Sequence, residues 1–548
     1  MEIAVKLTKQ VIFDSINLRE GGRIMSKNKR VCLIACPWLF YNEVEFRSQQ
    51  LGLGYVGAYA EQNGHIICAF IDPMMNGGEG IGSQVYNVRQ QPIKRFGHSD
   101  EWIIGRIPKD TDVIGINAPF TDSRLALYPL VRKIRIAFPG KLVVIGGVLP
   151  TYLSRQVLLE SGADIVVRGE GEIAFTRILN GEPWDKIPGL VYCAAPAGFK
   201  ETGIRAEQHR DINQLPLPGN NFRPMKEYVK LSPWGNRVAR TLHLITSRGC
   251  PYDCHFCSGL GKCERWRPFS AERILSEIKT GIEKWGVNQI EFADDNFTFE
   301  KKRALKILNG VAEIRKSGYE ISCAFPNGAM LERMDREIVF AMKSAGTEII
   351  YLPVESGDPR MLVGMNKFNA FKHLDKAMQV AGWCNEAKLP FSCFLIVGYP
   401  GGRIKRPSYR RIAEYERFYF QDNGGNLYIQ GEDEESFEKT LKFLEKFHRI
   451  GSQGITPLIT VPLPGTELYK FCEKFGYLVF KDSADTLVTI SYAAVTPEVV
   501  QIDTPWCSRE RAFERWQTIM EKFPTFHNVR KLDNSDKNIL SGEQIREK

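Results

Sequence analysis

Ser247-Arg248-Gly249-Cys250-Pro251-Tyr252-Asp253-Cys254-His255-Phe256-Cys257 carries the most decisive chemistry in this 548-residue chain and sets its fold class. The run has the form C-x3-C-x2-C. Three thiolates this close can bind three irons of one cube and leave the fourth without a protein ligand. Ferredoxin-type clusters take four cysteines and structural zinc usually takes four ligands. Three ligands and an open corner therefore describe a cluster that binds something at its free iron. Cys263 offers a fourth zinc ligand, but C-x2-C-x5-C lacks a second knuckle of the usual spacing. His255 is a possible metal ligand, but its side chain should diverge from those of the flanking cysteines. Three buried structural cysteines would leave the Gly-Cys-Pro entry unexplained.

The spacing resembles the radical S-adenosylmethionine (SAM) superfamily, in which the amino and carboxylate groups of SAM fill the open corner of a [4Fe–4S] cluster. Phe256, just before the last cysteine, fits the same pattern. The resemblance implies Cys250, Cys254 and Cys257 as cluster ligands and catalytic residues, and Phe256 as a cofactor contact.

The length predicts two or three domains. The thirteen cysteines are scattered and several lie in apolar runs, which suits a reducing, cytoplasmic setting and not a disulfide framework. No apolar run is long enough to span a bilayer, and residues 1–24 lack a signal-peptide core. Met25 is a candidate alternative start. The net charge of +9 is spread among interleaved acids, so no nucleic-acid partner is expected.

Residues 30–200 alternate strands and helices. Strands are predicted at 31–36, 66–71, 112–117, 141–146 and 163–168, with helices at 51–63 and 125–138. Continuous apolar runs of this kind suit buried parallel strands in a doubly wound α/β sheet, whose ligands lie at strand C-termini. Gly52-Leu-Gly54-Tyr-Val-Gly57 matches G-x-G-x-x-G, but a polar stretch separates it from the first strand. It reads as a helix start with small residues for close packing, not as a dinucleotide site. Leu51-Gly-Leu-Gly-Tyr55, Gly146-Gly-Val-Leu-Pro-Thr151 and Val167-Arg-Gly-Glu-Gly-Glu172 resemble the cobalamin-binding domain fused to many radical SAM enzymes. This implies Gly146, Gly147, Gly169 and Glu170 as cofactor contacts. No D-x-H-x-x-G motif supplies a histidine to cobalt; His65 and His98 read as ordinary surface or core residues.

From residue 240 onward, strands at 241–246, 289–293, 322–325, 348–353, 390–397 and 454–460 predict a partial (β/α) barrel. Helices are expected at 271–285, 301–316, 336–345 and 435–449. Such barrels carry active groups at strand C-termini. Asp294-Asp295-Asn296 ends the second strand and is a candidate for the SAM amino group or ribose, or for a helix cap. By resemblance, Glu355 and Ser356 lie near the SAM ribose, and Gly398 and Pro400 bracket adenine through the backbone. Residues 402–430 depart from the family pattern and read as an insertion tolerated in a surface loop, or as a lid or docking arm.

The implied fold class is α/β, a Rossmann-like cobalamin-binding domain followed by a radical SAM partial (β/α) barrel and a small C-terminal helical region. The implied boundaries are an N-terminal extension at 1–29, the first domain at 30–205, a linker at 206–239 and the barrel at 240–470. Residues 471–548 form the C-terminal region, with helix 509–522 and a polar tail. The architecture is similar to cobalamin-dependent radical SAM methyltransferases. It implies a [4Fe–4S] cluster, SAM and cobalamin as cofactors and methylation of an unactivated carbon in a small-molecule substrate. In the implied reaction, reductive cleavage of SAM gives a deoxyadenosyl radical that takes hydrogen from the substrate carbon, which then receives a methyl group from methylcobalamin. A flavodoxin or ferredoxin would supply electrons. Cyclases or rearrangement enzymes without methyl transfer, and a non-catalytic sensor, are the alternatives.

Overall fold

The computed structural model describes residues 28–40, 49–75, 84–88, 91–119, 123–194, 198–229, 239–259, 264–409, 413–480 and 497–524. Residues 1–27, Cys263, Arg410, Arg411 and everything beyond 524 lie outside these, and with them the expectations placed there.

Val31, Cys32, Leu33, Ile34 and Ala35 are all fully buried, so the first strand has apolar neighbours on both faces. It occupies an inner position in a seven-stranded sheet of order 198–201, 190–194, 165–167, 142–146, 113–117, 30–35, 66–71. The five predicted strands are parallel. Leu190–Ala194 and Gly198–Glu201 extend the sheet with antiparallel pairing that the sequence reading did not anticipate. The strand order reverses beside Arg30–Ala35, which creates a crevice at the strand C-termini. Gly54 and Gly57 of helix Leu51–Gln62 serve packing as expected, while Gly52 has open space before it. A Cβ on Gly54 would lie 2.5 Å from the Pro218 carbonyl oxygen, and one on Gly57 would lie 2.6 Å from Leu33.

The second sheet has six parallel strands in chain order, Thr241–Leu244, Gln289–Phe292, Ser322–Phe325, Thr347–Glu355, Phe391–Val397 and Gly454–Ile459. Helix Ala271–Trp285 shows why its boundaries were legible. Ser270 accepts from the Arg273 amide at the start, Gly286 takes a left-handed turn at the end, and Ile274, Ile278 and Gly281 recur on the buried face. Burying each isoleucine contributes about 1.5–3 kcal/mol. Helix Ala370–Glu386 also covers the sheet, although the sequence reading assigned no element there.

Helix Arg509–Lys522 of the C-terminal region packs against the last barrel strand, with Trp516 Nε1 donating to the Pro457 carbonyl at 3.1 Å. One expectation requires correction. The segment read as a surface insertion at 402–430 is a folded element. Gly401–Arg403, Leu427–Gln430 and Tyr419–Gln421 form an antiparallel sheet. Its Tyr409, Tyr415, Phe418 and Tyr428 are buried in one cluster with Met361, Met365, Tyr399 and Phe471. Four aromatic side chains inside a core are incompatible with a loop carried passively on the surface.

Candidate active site

The cysteine loop leaves its strand through Ser247 and Arg248, which pair antiparallel with Pro268 and Arg267. Gly249 follows at φ +89°, where a Cβ would lie 2.5 Å from the Arg265 carbonyl oxygen; only glycine makes this turn without strain. The loop then carries Cys250, Cys254 and Cys257 as half-buried cysteines outside any disulfide. Burial pushes the Cys250 thiol up to about 11 and the Cys254 thiol up to about 12, with Lys367 opposing the shift at both. Such thiols give up their protons to a metal, not to water. Among the described residues no three His, Cys, Asp or Glu side chains form a compact site for one metal ion.

His255 diverges from the cysteines, as expected. Its Nδ1 donates to the Gly364 carbonyl at 2.9 Å. Burial, aided by Lys405, lowers its pKa to about 4, so it is neutral. Phe256 faces Lys367, whose ammonium lies 6.0 Å from the ring centroid.

The acidic strand end divides its work. Asp294 is buried and accepts from the Thr246 amide at 3.0 Å, the Thr246 hydroxyl at 2.8 Å and the Ser247 hydroxyl at 2.5 Å. Both its oxygens accept from the strand end that delivers the cysteines, so Asp294 holds that strand in place. Asp295 opens onto the cleft described below. Surrounding protein, then the charges of Asp294 and Glu264, push its carboxyl up to about 6. Gly259 lies beside both the Asp295 carboxylate and the Cys257 sulfur.

Glu355 is buried in the left-handed region at φ +64°, an arrangement that costs about 1–3 kcal/mol for a non-glycine residue. Its carboxylate meets Lys367 Nζ at 3.2 Å. Burial works against the Lys367 charge, but Glu355 and then the Cys254 sulfur outweigh it and hold the ammonium above its ordinary value. Lys367 was missed from the sequence because a helix, Pro359–Gly364, separates it from Glu355, and nothing in spacing marks it. The Ser356 hydroxyl accepts from the Asp358 amide at 3.2 Å and faces Thr440 Oγ1 at 3.4 Å, which shapes the turn before the helix that Asp358 caps. Gly398 likewise has its N–H taken by Glu432 Oε1 at 3.1 Å and packs against Ala512. Pro400 is buried in the same turn. This backbone joins the inserted sheet to the last helix.

The crevice of the first sheet opens into a cleft. Gly146, Gly147, Gly169 and Glu170 line it from the first domain, and Ser247, Arg248, Gly249 and Asp295 line it from the second. Gly147 lies at φ +115°, where a Cβ would stand 2.5 Å from the Ala118 carbonyl oxygen, while Gly146 has open space before it. Seven of the lining residues are glycines, so backbone forms a broad floor without projecting side chains. That shape suits the flat face of a corrin. No histidine is among the described lining residues. His65 accepts from the Lys29 amide, and His98 stacks on Trp102, which gives both the structural roles expected.

The two domains are clasped beside this cleft. Arg248 bridges Glu170 at 3.0 Å and Glu172 at 2.8 Å, and Arg267 also reaches Glu170. Burial alone would raise the Glu170 pKa, but Arg248 and Arg267 outweigh it and hold the carboxyl below its ordinary value. Tyr152 of the first domain donates to the Ser258 carbonyl at 3.0 Å, just past Cys257. Glu170 thus lines the cleft and at the same time fixes the cysteine loop against it.

Residues 244–405 match the Radical SAM superfamily and residues 38–179 match the B12 binding domain. A cytidylyl-2-hydroxyethylphosphonate methyltransferase of Streptomyces wedmorensis is 24% identical over 494 residues, 83% of this chain and 83% of that protein. An uncharacterized methyltransferase of Pyrococcus horikoshii is 28% identical over 374 residues, 66% of this chain and 69% of the relative. The structure of the radical S-adenosylmethionine methyltransferase TsrM from Kitasatospora setae, with cobalamin and a [4Fe-4S] cluster bound, superposes with a TM-score of 0.58. That likeness spans 86% of this chain and 84% of TsrM at 13% identity, and it shows the shared fold. No helix of the described residues is long and apolar enough to cross a membrane. The chain thus carries a B12-binding domain ahead of a radical SAM domain, the arrangement of the cobalamin-dependent radical SAM enzymes, whose cofactors are a [4Fe–4S] cluster, SAM and cobalamin, and it is similar to methyltransferases among them.

Proposed function

We propose that the chain methylates an unactivated carbon of a small molecule in the cleft between its two domains. The observation that carries this reading is the joint lining of the cleft, by the glycine floor of the first domain and by the cysteine-loop entry and Asp295 of the second. When bound, the cluster supplies the electron that cleaves SAM and cobalamin supplies a methyl group.

The chain's own residues position these groups. Cys250, Cys254 and Cys257 provide three thiolates and leave one corner open. Lys367 stands as a fixed cation beside Cys254, where it favours the reduced, more negative cluster. Glu355 aims that cation and accepts from it. Asp295 is mostly ionised at neutral pH and presents an acceptor at the cleft wall beside Cys257, suited to the ammonium or a ribose hydroxyl of SAM. Gly146, Gly147 and Gly169 let the cobalamin face approach backbone, and the largely apolar wall keeps water away. The fitting electron donor is a flavodoxin or ferredoxin. None of the described cysteines is in a disulfide, which suits a reducing cytoplasm.

Cytidylyl-2-hydroxyethylphosphonate is the first substrate to try, because the relative that acts on it aligns over most of both chains. Anaerobic turnover with methyl-labelled SAM should give deoxyadenosine, S-adenosylhomocysteine and a product that gains one labelled methyl. Deoxyadenosine without S-adenosylhomocysteine, across that compound and a wider substrate panel, would overturn methyl transfer. It would favour the cyclase reading; an anaerobic magnesium-protoporphyrin IX monomethyl ester cyclase of Synechocystis is 25% identical over 265 residues, 46% of this chain and 49% of that protein.

A further inference from the structure

The inserted sheet grips the cysteine loop from outside, at the residues flanking Cys254. Lys405, just past its first strand, pairs with Asp253 Oδ2 at 2.8 Å and with Glu467 at 3.3 Å. Arg406 Nε donates to Asn366 Oδ1 at 3.1 Å, and Asn366 Nδ2 in turn donates to the Asp253 carbonyl at 2.7 Å. The Arg406 guanidinium also lies over the Phe368 ring, which packs against Tyr252 of the loop. On the other side of Cys254, His255 is tied three ways. Its amide donates to the Met365 carbonyl at 3.0 Å, its carbonyl accepts from the Leu468 amide at 3.0 Å, and its ring donates to the Gly364 carbonyl. Gly402 backs that last contact at a distance only glycine permits, since a Cβ there would stand 2.2 Å from the Gly364 carbonyl oxygen.

We infer that the inserted sheet is a clamp that positions the cluster-binding loop, with Lys405 and Arg406 as its positioning residues. The argument needs both. Lys405 is about a third exposed, so its ion pair alone holds the loop weakly. Arg406 adds a chain of hydrogen bonds to backbone and a stacked ring, and the two act on one residue, Asp253. The clamp also explains why the insert is folded around a buried aromatic core: a rigid base is required for the side chains to hold the loop in one place.

The test is hydrogen exchange on the full chain, before and after anaerobic reconstitution with iron and sulfide, comparing wild type with K405A/R406A. Amides of 252–256 should exchange roughly tenfold faster in the variant, the equivalent of losing about one charge-assisted hydrogen bond, while barrel-strand amides keep their protection. The reduced cluster of the variant should show a broadened electron paramagnetic resonance signal when SAM is added, and K405R with Arg406 intact should restore the wild-type signal. R417A, which removes an exposed ion pair to Glu435 elsewhere on the insert, should change neither readout. Unchanged loop exchange in K405A/R406A would overturn the inference, as would faster exchange spread over the whole barrel, because the insert would then serve general stability. The spectroscopic arm rests on the cluster assignment. The exchange arm without metal does not, so a failed cluster assignment and a failed clamp are distinguishable.

Discussion

Replacing Arg248 by methionine keeps most of the side chain's bulk and removes its charge. The guanidinium sits between Glu170 and Glu172 and over the Tyr55 ring at 4.8 Å, and its side chain is 11% exposed. Glu170 keeps Arg267 as a partner, but Glu172, at 4% side-chain exposure, loses its ion pair. Breaking a buried pair by deleting one partner costs about 3–5 kcal/mol, most of it the penalty of the carboxylate left behind. If the first domain unfolds as a unit, its midpoint should fall by on the order of 10 °C. Differential scanning calorimetry of the full chain measures this, and limited proteolysis at the linker reports loosening of the domains. R248M/E172Q should recover about half of the loss or more, because the orphaned charge is gone. A midpoint for R248M within about 1 °C of wild type would refute the clasp. So would a double variant no more stable than R248M.

Cys254→Ala should abolish SAM cleavage and lower iron retention after reconstitution, checked by deoxyadenosine assay and iron content; full iron loading with retained cleavage would contradict the ligand assignment. Gly147→Ala forces a side chain into φ +115° and within 2.5 Å of the Ala118 carbonyl oxygen, so it should cost roughly 1–3 kcal/mol and lower cobalt retention after desalting. Burial holds the Glu291 carboxyl up at about 8, with His243 Nδ1 3.2 Å from it. A folded-state value above the unfolded one means that the stabilisation is full at low pH and is lost as pH rises toward 8. Thermal midpoints measured from pH 5 to 9 should therefore fall less steeply for Glu291→Gln than for wild type across pH 6–8; parallel curves would count against a raised carboxyl.

Much of this architecture was legible because local signals agreed with tertiary demands. Helices 271–285, 301–316 and 509–522 and strand 322–325 lie at their predicted residues. In the first of these helices Ser270, Gly286 and the apolar period all mark the same ends. The inserted sheet was illegible because its pairing is non-local: Gly402 meets Ile429 across a segment whose alternation is too short to reveal a strand. Helix Ala370–Glu386 starts after Asn369 in a left-handed conformation without a side-chain cap, so the usual start signal is missing. Within the site, the cysteine spacing was self-declaring, but the Asp294-Asp295 pair was not. Which carboxylate faces the cleft depends on the hydroxyls of Thr246 and Ser247, one strand away. Lys367 and Lys405 reach the cysteine loop only through tertiary folding.

The most direct test of the two-cofactor account is reconstitution under anaerobic conditions with iron, sulfide and hydroxocobalamin, followed by desalting and metal analysis. The account predicts about one cobalt per four irons, with loss of cobalt alone in Gly147→Ala and loss of iron in Cys254→Ala. A full iron complement without cobalt in the wild-type chain would contradict it, because the glycine-floored cleft would then hold no cobalamin from which to supply the methyl group.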